Sequence, residues 1–126
     1  MCLITVLKRK PKKTGIGWKV FCVVNGRLCG EWRSLSRVRP KDKWLKEKAY
    51  RDSNLVTGQL GGETRYPLGW HVFKNKKDAE LWNHGVSTRG VHRVKYRGAH
   101  TQGTQRTGDF ILDCIVAKKI KILKEA

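Results

Sequence analysis

Arg93, Lys95 and Arg97 stand at spacing two in the segment VHRVKYRG. On a strand they project from one face about 6.8 Å apart, a spacing similar to that of successive phosphates on a single nucleic-acid strand. The chemistry such a stripe offers is the grip of a polyanion, not the making of a bond. Lys118 and Lys121 in the last apolar segment extend the field, as do Lys43 and Lys46. Trp44, between those two lysines, supplies a ring on which a base can stack, worth about 1 to 3 kcal/mol per base in single-strand recognition. Trp32, Trp82 and Tyr96 also interleave with charge, but most Trp residues in a domain of this size belong to the core. Trp44 is the one expected to be partly exposed.

Residues able to make or break bonds are fewer. Cys2 would carry an α-amine beside its thiol if Met1 were removed, the arrangement in which a terminal amine acts as base to its own nucleophile. The plainer reading is a small apolar residue opening a buried strand. His71, His84, His92 and His100 have neither cysteines nor carboxylates at ligand spacing, so no structural metal and no cofactor is expected. His92 and His100 are read as lining the basic face and strengthening it at lower pH. Asp109 and Asp113, four apart, would point the same way on one strand and could hold Mg²⁺, although neutralising nearby lysines is the simpler role. No Walker loop, GxGxxG or GxSxG is present.

The whole chain has 28 Lys and Arg against 10 Asp and Glu in 126 residues, a net charge of +18. Nucleic acid, a phosphate-rich nucleotide, an acidic protein or an anionic membrane surface would each complement it. The excess falls in four clusters, at residues 8–19, 33–52, 89–106 and 118–124, and only their convergence on one face would make a defined site. An apolar fraction of 39% with five Trp supports a single folded domain over residues 1–126. No apolar run approaches the roughly 18 residues of a membrane span, and MCLITVL is too short for a signal-peptide core and precedes its charges. The expectation is a cytoplasmic protein with no membrane partner. Its four cysteines, without CxxC spacing, are then reduced thiols.

The elements that must position these residues follow from pattern. CLITVLK reads as a buried strand, and KRKPKKTG after it as a solvated connector in which Pro11 blocks pairing and Gly15 and Gly17 loosen the backbone. Asn25-Gly26 between extended runs marks a type I′ hairpin. Its register sets Val24 against Arg27, Val23 against Leu28, Cys22 against Cys29, Phe21 against Gly30 and Lys19 against Trp32, with Lys19 over the Trp32 ring. Cys22 and Cys29 are read as two reduced core residues. Both hairpin faces are partly apolar, which calls for a larger sheet around it. Pro40 opens a short helix with Trp44, Leu45, Lys48 and Ala49 on one side, and residues 53–65 form a flexible loop hinged at Gly61-Gly62. Residues 70–73 alternate as a strand; Asn75 caps a helix with Asp78 at its third position, ended by Gly85. DFILDCIVAKKIKIL closes the chain as one long strand or two short ones. The fold class so read is α+β: an antiparallel sheet with a central hairpin and one or two short helices.

MCLITVLKRKP, GWKVF with NGRL, YPLGWHVFKNKKDAELW and VAKKIKIL together resemble small proteins of bacteriophages and prophages that begin with MCL and a KP-containing basic stretch. Their central Gly-(aromatic)-His-x-Phe segment, followed by Asp-Ala on a helix, is matched by Gly69, Trp70, His71, Phe73, Asp78 and Ala79, with Trp70 in place of Phe. Residues 33–62 lie outside the resemblance. A fainter similarity of the strand-then-helix segment to ADP-ribosyltransferases lacks the rest of their signature. The phage resemblance implies an accessory or counter-defence protein of the host cytoplasm and carries over no catalytic residue. The leading expectation is a binding protein whose basic face takes nucleic acid or an anionic nucleotide. Two alternatives stand beside it: an inhibitor docking on a host defence protein or nuclease, and a small enzyme using Cys2 or His71 on a nucleotide or protein substrate.

Overall fold

The computed structural model describes residues 3, 5–24, 27–29, 41–46, 55–57, 65–67, 69–84 and 89–123. Strands β1 (Thr5–Val6), β2 (Thr14–Val24), β3 (Arg27–Cys29), β4 (Trp44–Lys46), β5 (Leu55–Thr57), β6 (Arg65–Pro67) and β7 (Trp70–Phe73) precede helix α1 (Lys76–Asn83). The long strands β8 (Arg89–Thr107) and β9 (Phe110–Ile122) follow it. With one eight-residue helix among the described residues, the architecture is nearly all-β and not α+β. The helix expected after Pro40 is absent over the described part of that segment: residues 41–43 form a turn, and Trp44–Lys46 pairs with β9 as a strand. Leu45 points to the core while its two neighbours point away, and the unpaired edge of β9 decides the matter over a weak helical spacing.

All strand pairs are antiparallel, and the pairing closes on itself. Trp18 of β2 pairs with Arg93 of β8 on one edge and with Phe73 of β7 on the other; Phe73 pairs onward with Cys114 of β9, and β9 returns to β8 along its length. The ring β2–β8–β9–β7 is a small barrel. Its interior holds Phe21, Trp70, Val72, Val94, Tyr96, Ile115, Ile120 and Ile122. Outside, α1 covers Val20, Phe73 and Leu112 through Ala79, Leu81 and Trp82, while Leu3 and Tyr66 cover Cys114 and Val116. This is why the strands are apolar on both faces, as the hairpin pattern required.

Two glycines make the ring possible. Gly17, expected in a loose connector, lies within β2 where a Cβ would strike Val72 Cγ1 and come 2.7 Å from the Phe73 carbonyl oxygen, so only glycine lets β2 meet β7 there. Gly98, at φ +68°, precedes a register shift between Ala99 and Thr101, and the two long strands turn at this corner.

The expected hairpin register is present at Cys22 with Cys29, Val23 with Leu28 and Val24 with Arg27; Asn25, Gly26, Gly30 and Trp32 lie outside the described residues. Lys19 lies beside Trp70, its Nζ 5.8 Å from that ring's centroid and donating to the His71 carbonyl at 3.0 Å. The expected N-terminal strand is limited, among described residues, to Thr5–Val6. Part of the expected loop is ordered pairing, β5 with β6; Gly61-Gly62 lies outside the described residues. Asn75 does occupy the N-cap, but its side chain makes no capping bond to the backbone and its Nδ2 donates to Asp78 Oδ2 at 3.4 Å. The helix ends on His84, at φ 54°, and Gly85 lies outside the described residues. The last segment is one strand, β9.

Candidate polyanion-binding face

Register partners in an antiparallel sheet present their side chains on the same face. Reading outward-facing positions across β2, β8, β9 and β4, one row is Ile16, Lys95, Lys121, Trp44 and the next is Thr14, Arg97, Lys119, Lys46. Arg93, paired with Trp18, stands one step further along β8. Three basic clusters distant in sequence thus converge on one outer wall of the barrel, and no acid occupies these register positions. Arg93, Lys95, Arg97 and Lys46 are exposed; Lys119, Lys121 and Trp44 are half-buried. Asp42, in the turn entering β4, is the acid adjoining this wall among the described residues.

Trp44 sits among cations. The Arg97 guanidinium carbon lies 4.1 Å from the ring centroid and Lys121 Nζ lies 5.2 Å from it. Each such contact is worth about 0.5 to 1 kcal/mol at an exposed site. The face otherwise works against itself, since Lys95 lies opposite Lys121 and Arg97 opposite Lys119, and like charges directly across a ladder are destabilising. A wall built only for solubility gains more from alternating signs than from this arrangement.

Lys43 is exposed in the turn before β4, beside this wall. Lys118 stands at the barrel corner, where a Cβ on Gly98 would lie 3.0 Å from its own, and is outside the two rows. Lys119 belongs to the wall although the stripe on β8 drew attention first; its two-residue spacing from Lys121 on a strand was the available signal. The histidines do not line the wall. His92 is paired with Lys19 and stands edge-on to Phe21 at 6.0 Å, and His100 Nδ1 bonds Thr101 Oγ1 at 2.8 Å at the corner. Tyr96 is core, and Trp82 packs from α1 onto the sheet; Trp32 lies outside the described residues.

The bond-making candidates fare differently. Cys2 lies outside the described residues. His71 is buried on the outer side of β7, where Tyr66 Oη accepts from the Leu3 amide at 2.7 Å and lies 3.2 Å from His71 Nε2. Burial, reinforced by the Lys19 charge, lowers its pKa to about 3, so the ring is a neutral acceptor holding Tyr66 in place. Asp109 lies in the turn between β8 and β9 while Asp113 lies on β9, so the two do not form a carboxylate pair on one strand. Among the described residues no group of three or more His, Cys, Asp or Glu is placed to hold a metal ion. Cys114 is fully buried and its thiol is pushed up to about 12 by burial, which leaves it inert. Among the described residues no helix is long and apolar enough to cross a membrane.

No protein-family model, curated protein or solved structure matches this chain.

Proposed function

We propose that this protein works by binding a polyanion, with single-stranded nucleic acid as the ligand that the outer wall of β2, β8, β9 and β4 fits best. The observation that supports this most is the continuous field of Lys95, Arg97, Lys119, Lys121 and Lys46 around Trp44. Strand pairs about 4.8 Å apart and outward residues about 6.8 Å apart give a cationic lattice on the scale of a sugar-phosphate repeat. A base approaching Trp44 meets the indole and the Arg97 guanidinium seated over it, both groups that accept any base. Sequence-tolerant binding follows. In keeping with the sequence resemblance, the proposed setting is a phage accessory or counter-defence role in the host cytoplasm.

The test reverses charge at the two cations that face each other. Lys95→Glu combined with Lys121→Glu should weaken binding of a single-stranded oligonucleotide at least about tenfold, while Lys77→Glu on the exposed side of α1 leaves it unchanged. Equal affinity in the double variant and the unaltered protein would remove the reading. Retained capture of a host protein from nuclease-treated lysate by a protein that fails to bind oligonucleotide would favour an inhibitor instead.

A further inference from the structure

The barrel opens on the side where the segment from Leu7 to Lys13 crosses its wall, and there a cavity of about 510 Å³ remains. That volume lies within the range of about 300 to 1,000 Å³ typical of small-molecule sites. The crossing segment is pinned at both ends, by the Leu7 amide donating to the Gln102 carbonyl at 2.9 Å and the Ala99 amide donating to the Lys13 carbonyl at 3.0 Å. Between those bonds it brings Arg9, Lys10 and Lys12 to the rim, and Lys74 approaches from the end of β7. Among the described residues, no acidic side chain lines the cavity.

Beneath the cations the lining is apolar and aromatic, chiefly Tyr96 and Ile115. Gln102, only 7% exposed, is used on both sides of its amide: Oε1 accepts from Lys74 Nζ at 3.0 Å and Nε2 donates to the Arg9 carbonyl at 2.8 Å. It therefore fixes one rim cation and the backbone that carries the others before any ligand arrives. Tyr96 lines the same space with its hydroxyl over Gly15, where a Cβ would come 2.5 Å from Oη, so the glycine makes room for the phenol. Tyr96 points inward from β8 where Lys95 and Arg97 point outward, so this site and the outer wall share a strand but not their charged side chains.

We propose that this mouth is a second binding site, for a phosphomonoester that carries a flat ring: the phosphate on the rim cations, the ring against Tyr96 and Ile115. A free nucleoside monophosphate and the 5′-phosphorylated end of a nucleic-acid strand share that chemistry. Ile16, which lines the cavity and stands beside Lys95 in the outer row, joins the two surfaces. Only the strand-end source rests on the outer-wall reading; the free nucleotide does not.

Calorimetric titration with adenosine 5′-monophosphate, and with one single-stranded oligonucleotide bearing either a 5′-phosphate or a 5′-hydroxyl, separates the sources. The unaltered protein should bind the monophosphate saturably, Lys74→Gln should weaken it about tenfold, and Tyr96→Phe should weaken it about threefold. Lys74→Gln keeps an amide in reach of Gln102, and its melting temperature checks that the fold is intact. A preference for the 5′-phosphorylated strand that disappears in Lys74→Gln identifies the strand end as ligand; monophosphate binding with no such preference identifies the free nucleotide. Persistence of monophosphate binding in the Lys95→Glu, Lys121→Glu variant would support the mouth as a site separate from the wall. Absence of saturable monophosphate binding together with equal affinity for the two oligonucleotides, or full affinity in both Lys74→Gln and Tyr96→Phe, overturns the proposal.

Discussion

Trp44 and His71 show how one residue type can be read and another misread from sequence. Trp44 between two lysines announced a ring in a basic setting, and the structure adds that Arg97, more than fifty residues away, is seated over it, closer than Lys121. His71 lay in a segment suggestive of function, yet its ring is enclosed and serves Tyr66. Burial is a property of what covers a residue, and Leu3, whose amide donates to Tyr66 Oη beside this ring, comes from the far end of the chain. The consequence is measurable. Between its ordinary 6.5 and about 3, the unfolded chain holds a proton on His71 that the folded chain refuses, so stability falls as pH drops through that window. The slope from this group is at most about 1.4 kcal/mol per pH unit. Urea midpoints measured from pH 7.5 to 4.5 should decline more steeply for the unaltered protein than for His71→Phe; parallel declines would show that His71 is protonated in the fold.

At the scale of elements, local signals succeeded where the chain pairs with its near neighbours. Asn25-Gly26 set a hairpin register that the flanking residues follow, and the alternation in residues 70–73 and 91–97 gave the correct faces. They failed where a distant edge decides. Residues 44–46 took strand form because β9 offered an unpaired edge, and Gly17 was read as slack because nothing nearby in sequence announces that β7 must approach it. Ring closure depends on that approach. Gly17→Ala should cost about 1 to 3 kcal/mol by forcing β2 and β7 apart, read as a lower urea midpoint together with loss of amide-exchange protection at Trp18 and Phe73. An unchanged midpoint would mean that the ring tolerates an open seam.

For the molecule as a whole, the +18 charge was legible at once, but its geometry was not. Clusters separated by tens of residues become one field only because β8 and β9 lie between β2 and β4, a neighbour relation that no local pattern encodes. The same topology explains the missed fold class. A pair of long strands bent at a glycine corner can close a barrel with few partners, whereas composition and turn signals show only strands with a helix among them. Six cations, Arg93, Lys95, Arg97, Lys119, Lys121 and Lys46, are then available to displace counterions from a bound strand. The direct test is the affinity for a single-stranded oligonucleotide measured between 50 and 300 mM salt. With each phosphate contact contributing about −0.7, log affinity should fall against log salt with a slope of about −4, reduced to about −3 or shallower by Lys95→Glu with Lys121→Glu. A slope near zero, or one that the two substitutions leave unchanged, would contradict the assignment of this wall as the polyanion-binding surface.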